Sequence, residues 1–293
     1  MKPVRTAVIP AGGLGTRFLP FSRSVPKELL PLVDVPVIDA VVSECAASGI
    51  ERVVIVIGPG KESLGAYFQP SSRVEARLRA EGRTAELEAL TRPQRLAAVE
   101  VVVQAEPRGN GHAVLVAREA VGEDEPFAML WGDDIVVGTT PALRQLIDAR
   151  ERLGGSTAGA ARIPRAESGR YGVFAGAAEG DAFRVTGMVE KPAPEEAPSE
   201  LASVHGYVLE PEIFELLAAQ APGRGGEIWL VDAVNALARR RPVWAVELEG
   251  RRYDAGDRAG YVSAFVDHAL ARSDVGPALR DHLRQQGWRP PGS

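Results

Sequence analysis

Four short apolar runs separated by helical segments constrain the fold of this chain more than any other feature. The runs fall at residues 4–10, 51–58, 98–106 and 126–134, and the second reads ERVVIVIG. Short, continuous runs of β-branched residues are typical of strands that are covered on both faces. Strands that alternate with helices form a parallel sheet with helices on both sides. The sequence therefore predicts an α/β fold with a Rossmann-like, mixed but mainly parallel sheet.

The pattern changes after about residue 155, and this change sets the predicted organisation of the chain. Short extended pieces divided by turns follow, then helical patterns that continue into the tail. No linker is long enough to separate independent domains. We expect a single domain over residues 1–293, with an N-terminal part at 1–155, a mixed part at 156–256 and C-terminal helices at 257–293.

The bulk composition excludes several classes of protein. The net charge is −5, whereas a nucleic-acid-binding domain needs a basic face. No uninterrupted apolar segment approaches the ~20 residues that span a bilayer. The single cysteine, Cys45, rules out an internal disulfide and is typical of a reducing compartment. We therefore expect a cytoplasmic protein without nucleic-acid or membrane partners.

A glycine-rich loop with spaced cations follows the first strand. Residues 9–31 read IPAGGLGTRFLPFSRSVPKELLP and include Arg17 and Lys27. Unobstructed backbone N–H groups let phosphate oxygens approach closely. The loop is not a Walker motif. It also is not a dinucleotide fingerprint, because it lacks the third glycine and the prolines that follow cannot open a long helix. This excludes an NAD-dependent oxidoreductase. We interpret it as a nucleoside triphosphate site, with a tight turn carrying surface cations as the alternative.

Three further motifs place charged side chains beside predicted strands. WGDD puts Asp133 and Asp134 at the carboxyl end of an apolar strand, where open parallel sheets bind ligands, and YDAG puts Asp254 after another strand. Paired carboxylates suit Mg²⁺, although each aspartate can instead cap a turn or a helix. VEKP holds Lys191 in extended backbone before a proline, where its ammonium can meet a phosphate. Together the motifs predict transfer of a nucleotidyl group to a second phosphate.

From about residue 3 to 270 the chain resembles the bacterial UTP–glucose-1-phosphate uridylyltransferases. The likeness includes the charged helical stretch at 73–90, which the shorter thymidylyltransferases lack. The segments that match in order and spacing are AVIPAGGLGTRFLP, PKELLPLVDVPVI, GHAV, PFAMLWGDDIV, RYGVF, VEKP, GGEIWLVDAV and RYDAGDRAGY. The resemblance implies a sugar nucleotidyltransferase fold of the GT-A-like type. It also implies a homo-oligomer, either a dimer or a tetramer, that converts UTP and glucose 1-phosphate into UDP-glucose and pyrophosphate.

The resemblance further implies a role for individual residues, with the nucleotide bound by residues 1–155 and the sugar by 156–256. The implied nucleotide-binding residues are Ala11, Gly12, Gly13, Gln104 and Gly109. The implied catalytic residues are Arg17, Lys27, Asp133 and Lys191. The implied sugar-binding residues are Gly172, Glu190 and Lys191, and the implied Mg²⁺ ligands are Asp133 and Asp254.

Two departures from the family pattern leave open which sugar 1-phosphate is the substrate. HGY, with His205, stands where the family has GRY, and EIWLVDA, with Trp229, stands where it has EIQLTDA. We expect these two side chains to reshape the sugar site or a subunit contact. Another sugar 1-phosphate is therefore an alternative, as is dTTP, because uracil and thymine differ by one methyl group. A non-catalytic nucleotide-sugar-binding regulatory subunit is the alternative from another class.

Overall fold

A computed structural model describes residues 1–180 and 182–288 of the chain. The strands are β1 (Thr6–Ala11), β2 (Pro31–Leu32), β3 (Val35–Pro36), β4 (Arg52–Ile57), β5 (Ala98–Val103), β6 (Phe127–Leu130), β7 (Asp134–Val137), β8 (Ser156–Arg162), β9 (Gly172–Glu179), β10 (Ala182–Glu190), β11 (Leu201–Leu209), β12 (Val243–Glu247) and β13 (Arg251–Asp254). The helices are α1 (Val37–Ala47), α2 (Ser63–Ala66), α3 (Ser72–Ala80), α4 (Thr84–Thr91), α5 (Asn110–Val116), α6 (Arg118–Val121), α7 (Ala142–Leu153), α8 (Ile213–Ala219), α9 (Leu230–Ala238), α10 (Arg258–Ala271) and α11 (Gly276–Gln285). Short 3₁₀ turns lie at Thr16–Phe18, Phe21–Arg23, Lys27–Leu29, Pro93–Arg95, Arg165–Arg170 and Arg224–Gly226.

Nine of the described strands form one twisted sheet in the order β5-β4-β1-β6-β11-β8-β12-β10-β9. Strands β5, β4, β1 and β6 are mutually parallel, as the alternating pattern predicts. Strand β11 then runs antiparallel to both β6 and β8, and β10 runs antiparallel to β12 and β9. The predicted mixed α/β sheet is confirmed. Every antiparallel pair of this sheet includes at least one strand built after residue 155, and the pair of β11 with β6 joins the two parts of the sheet.

Helices cover both faces of the sheet, which explains the continuous apolar run of β4. Val53 and Ile55 pack into a cluster with residues of α1 and α7, whereas Val54 and Val56 pack into another with residues of α5, α8 and α9. Successive side chains of a strand point to opposite faces, so each face needs its own apolar residues. The rings of Phe127 and Phe214 stack in the second cluster at a centroid distance of 4.8 Å.

The charged stretch at 73–90 is not one helix but two. Gly82, with φ of 67°, separates α3 from α4. The left-handed backbone favours glycine and ends the first helix. The tail forms α10 and α11 as predicted, while residues 289–293 of the expected C-terminal part lie outside the described residues. The boundaries between the three predicted parts of the domain stay a prediction.

The carboxyl ends of the parallel strands meet at one edge of the sheet, and this edge positions the site. Residues 12–30 form a long loop after β1, Gln104 follows β5, and Asp133 follows β6. Open α/β sheets bind ligands at this edge. Within the described ranges, no helix combines the length and apolarity that a membrane crossing requires.

Candidate active site

Two cavities open along the carboxyl edge of the sheet and share part of their wall. The first cavity, beside the glycine-rich loop, has a volume of about 530 Å³, and the second cavity, beside β9 and β10, about 340 Å³. The residues that line both are Arg17, Asn110, Trp131, Asp133 and Trp229. One cation, one carboxylate, an amide and two indoles thus stand where the contents of the two cavities would meet.

The first cavity holds most of the residues predicted to bind a nucleotide. Its lining includes Gly12, Gly13, Arg17, Lys27, Gln104 and Gly109. Ala11 is the exception, because its side chain is buried in β1 and its carbonyl accepts a 2.6 Å hydrogen bond from Lys61 Nζ. A Cβ on Gly12 would lie 3.1 Å from Oε1 of Gln104, so a side chain there would push the Gln104 amide from its position. Backbone groups of the loop can therefore approach a ligand closely.

A buried ion-pair network that sequence reasoning missed supports the loop. Glu28, only 2% exposed, lies 3.0 Å from Lys61 Nζ and 3.9 Å from Lys27 Nζ, and Lys27 also binds Asp133. Burial lowers the pKa of Lys27, but the charges of Asp133 and Glu28 outweigh it and raise the pKa above its ordinary value. Lys27 therefore stays charged in the cavity wall. Lys61 comes shortly after the carboxyl end of β4. Because open parallel sheets bind ligands at this edge, its place in the sequence is a signal for a site residue.

The small sheet of β7 and β13 brings the two predicted metal ligands together. Asp254 pairs in register with Asp134, and the N–H of Ala255 donates to the carbonyl of Asp133 at 2.7 Å. A Cβ on Gly256 would overlap Oδ2 of Asp133 and lie 3.1 Å from Oδ1 of Asp254. The two carboxylates thus face one point beside Gly256. Burial and then the charge of Asp133 raise the pKa of Asp254 above its usual range.

The carboxylate pair suits a hard divalent cation. No group of three or more His, Cys, Asp or Glu side chains capable of holding a metal exists within residues 1–180 and 182–288. Mg²⁺ does not need one, because it is commonly held by one or two carboxylates, with waters and substrate phosphates completing its shell. Nη1 of Arg17 lies 3.3 Å from the carbonyl of Gly256, so a cation of the loop also reaches this point.

The second cavity holds the residues predicted to bind a sugar phosphate. Gly172, Glu190 and Lys191 all line it, and Lys191 Nζ lies 3.5 Å from Oε1 of Glu190. The expectation of extended backbone at Lys191 is wrong, because its φ is 49°. The backbone N–H of Lys191 donates to the carbonyl of Tyr171 at 2.9 Å, and this contact holds the lysine in the left-handed conformation at the end of β10. The side chain of Lys191 stays about half exposed at the cavity wall.

Asp134 serves a different purpose from its neighbour Asp133. It is 4% exposed and accepts two hydrogen bonds of 2.8 and 2.7 Å from Nε and Nη2 of Arg252. Burial lowers the pKa of Arg252, but the charge of Asp134 outweighs burial and raises this pKa above its ordinary value. The guanidinium also lies over the ring of Tyr171 in the second cavity. Arg252 stands two residues before Asp254 on one strand, so the period of a strand could have placed both on the same face.

The expectation that His205 reshapes the sugar site or a subunit contact is wrong, because its side chain is fully buried beneath the site. It lies in an irregularity of β11 with φ of 64°. The backbone N–H of His205 donates to Oδ2 of Asp134 at 2.9 Å, and its ring Nε2 lies 3.0 Å from Oε1 of Glu44.

Trp229, in contrast, lines both cavities. Asn110 ties the cavity wall to α9 by accepting from the N–H of Leu230 at 2.9 Å.

A mixed α/β sheet whose carboxyl edge joins a glycine-rich loop, a carboxylate pair and a second polar cavity defines a nucleotide-dependent transferase. Residues 6–270 match the family described as nucleotidyl transferase. The chain belongs to this family.

Named relatives resemble the chain over nearly its whole length. A UTP–glucose-1-phosphate uridylyltransferase of Bacillus subtilis is 43% identical over 284 residues, which are 97% of this chain and 96% of the relative. A UDP-glucose pyrophosphorylase solved in complex with UDP-glucose superimposes with a TM-score of 0.83 at 33% identity, covering 92% of this chain and 100% of that chain. The UTP-bound enzyme of Acinetobacter baumannii gives a TM-score of 0.88 at 33% identity over 96% of this chain and 99% of that chain.

We expect His205 to make stability depend on pH. Burial lowers the pKa of His205, but Glu44 and then Asp134 outweigh it and raise the pKa above the ordinary value of 6.5. The contribution of charged His205 to the free energy of unfolding is therefore complete below pH ~6.5, and it is lost as the pH rises through the pKa of His205 in the folded protein. Urea unfolding from pH 5.5 to 9 should show the wild type losing stability relative to His205→Gln as the pH rises. A constant difference between the two proteins would contradict this prediction.

Proposed function

We propose that this protein transfers the uridylyl group of UTP to glucose 1-phosphate and so forms UDP-glucose and pyrophosphate. The observation that carries the proposal is the pair of adjoining cavities that share Arg17 and Asp133. One cavity offers a glycine loop to a triphosphate, and the other offers Glu190 and Lys191 to a sugar phosphate. The Bacillus subtilis relative that is 43% identical bears the name of this activity.

The chemistry needs alignment and charge neutralisation rather than a protein nucleophile. An oxygen of the sugar 1-phosphate attacks the α-phosphorus of UTP, the bond from that phosphorus to the oxygen bridging to the β-phosphate breaks, and pyrophosphate leaves. Arg17 and Lys27 would hold the triphosphate, and Lys191 would hold the phosphate of the sugar. Cations fixed on both sides of the reacting atoms offset the repulsion of the two anions and keep them in line.

The base and the sugar would be recognised by groups already held in place. Gln104 and Gly109 would contact the base edge, since both line the first cavity. Glu190 would accept from sugar hydroxyl groups beside Gly172, where a Cβ would lie 3.2 Å from its Oε2. A glycine at that position leaves room for a sugar hydroxyl next to the carboxylate. Arg252, held by Asp134, adds a fixed positive charge to the same cavity.

A divalent metal fits this proposal. Nucleotidyltransferases of the family generally use one. Asp133 and Asp254 would hold Mg²⁺, whose bound form neutralises phosphate charge. The predicted cytoplasmic location and the predicted dimer or tetramer stay predictions.

A second candidate is the same chemistry with a different sugar 1-phosphate. Trp131 and Trp229, both half-buried, line the two cavities where they meet. Indole side chains have an apolar body with one donor, so they restrict the polar substituents that a neighbouring sugar can present. The substrate panel below distinguishes the two candidates.

A substrate panel tests the proposed activity. Purified protein with Mg²⁺ should release pyrophosphate from UTP only when a sugar 1-phosphate is present, with glucose 1-phosphate giving the highest kcat/KM. Galactose, mannose and N-acetylglucosamine 1-phosphates, and dTTP in place of UTP, are the comparisons. A higher kcat/KM with another sugar supports the second candidate. Binding of UDP-glucose without pyrophosphate release under any condition would leave the regulatory-subunit alternative and would refute the proposal.

Lys191→Ala should weaken the use of the sugar phosphate more than the use of UTP. A charge-assisted contact to a partly exposed phosphate is worth about 1.5 kcal/mol, so the KM for glucose 1-phosphate should rise about ten-fold. Steady-state kinetics with each substrate varied in turn measures this split. Lys2→Ala is the matched control, because Lys2 is equally exposed at 54% and lies outside both cavities. An equal rise in the KM for UTP would contradict the assignment.

A further inference from the structure

The amide of Gln104 at the wall of the first cavity has its orientation fixed by two neighbours. Its Nε2 lies 3.0 Å from the carbonyl oxygen of Gly109 and 3.0 Å from Nδ1 of His112. A carbonyl oxygen only accepts hydrogen bonds, so the contact with Gly109 requires the NH₂ group on this side. Both hydrogens of the NH₂ group are then committed, one to Gly109 and the other to His112.

The oxygen of the same amide faces the cavity. Gln104 is 6% exposed and lines the first cavity, and a Cβ on Gly12 would lie 3.1 Å from its Oε1. Across residues 1–180 and 182–288 no hydrogen bond to this oxygen is present. The glycine loop therefore leaves a fixed acceptor pointing towards whatever the cavity binds.

His112 has to be neutral to make this arrangement. Nδ1 can accept from the NH₂ group of Gln104 only when the ring proton is on Nε2, because an imidazolium donates from both nitrogens. Burial and then the charge of Arg108 lower the pKa of His112, while Glu106 opposes them more weakly. The protonated ring would repel the NH₂ group, and only the carbonyl of Gly109 would then oppose the flipped amide, which presents a donor to the cavity.

We propose that His112 is a positioning residue for base specificity, because it holds Gln104 in the orientation that accepts from the ring N–H of uracil. Uracil and thymine carry a proton on N3, whereas cytosine carries a lone pair there. A fixed acceptor binds the first two bases and leaves an unfavourable acceptor–acceptor contact with cytosine. The inference rests on the proposed function, since it requires the base to enter the first cavity.

Two substitutions at residue 112 separate the hydrogen bond from the ring. His112→Phe keeps a planar ring and removes the acceptor, whereas His112→Asn removes the ring and keeps an acceptor near the position of Nδ1. The measurement is kcat/KM for UTP and for CTP at pH 8, with glucose 1-phosphate saturating. We expect the UTP-to-CTP ratio to fall about ten-fold or more in His112→Phe, mainly through KM, and to stay near the wild-type ratio in His112→Asn.

The outcomes distinguish this inference from the proposed function. A wild type that uses no pyrimidine triphosphate defeats the proposed function. A wild type that prefers UTP while His112→Phe keeps the same ratio and the same KM for UTP defeats only the role of His112.

A second measurement stands even where His112→Phe does not fold. The ¹⁵N shifts of the His112 ring in the wild type, assigned by their absence in His112→Asn, should show an unprotonated Nδ1 and a protonated Nε2 at pH 8. A proton on Nδ1 would overturn the inference.

Discussion

The structure depends on the contact between Lys27 and Asp133. It joins the glycine-rich loop after β1 to the end of β6, and it does so where the two cavities meet. A lone ammonium or carboxylate in this partly buried wall would cost free energy through desolvation. Paired, the two groups hold the cavity wall in a defined geometry. The neighbouring Glu28–Lys61 pair extends the same arrangement to the start of the loop at Ala11.

A second layer of charge pairs lies beneath the sugar side of the site. Asp134 holds Arg252, and His205 bridges Asp134 to Glu44 of α1. Charged groups of this kind are stable under a cavity only when each has a partner. The layer fixes β13, and with it Asp254, against β7. The orientation of the proposed metal ligands thus depends on neighbouring residues that are not themselves proposed to bind the metal.

Much of the fold and of the site could be predicted, because the apolar runs predict the strands and the carboxyl ends of those strands locate the site. The β-branched run of β4 and the apolar run before Asp133 set the parallel sheet, and its carboxyl edge then locates the loop and the carboxylates. The division of the charged stretch at Gly82 could also be predicted, since glycine is a helix stop. Two features could not be predicted. Lys191 adopts positive φ before a proline, and His205 turns inward at an irregular strand position. Each depends on a tertiary contact or a local backbone choice that residue spacing does not encode.

The most direct test asks whether Asp133 and Asp254 bind one divalent cation at the point where the cavities join. Titration of Mn²⁺ into the protein–UTP complex, followed by electron paramagnetic resonance, measures this affinity in the wild type, in Asp254→Asn and in a control. The control is Asp148→Asn on α7, where the side chain of Asp148 is 59% exposed. We predict that Asp254→Asn weakens Mn²⁺ binding about ten-fold or more, because removing one of two charged ligands costs more than ~1.4 kcal/mol. Equal Mn²⁺ affinity in all three proteins would contradict the account.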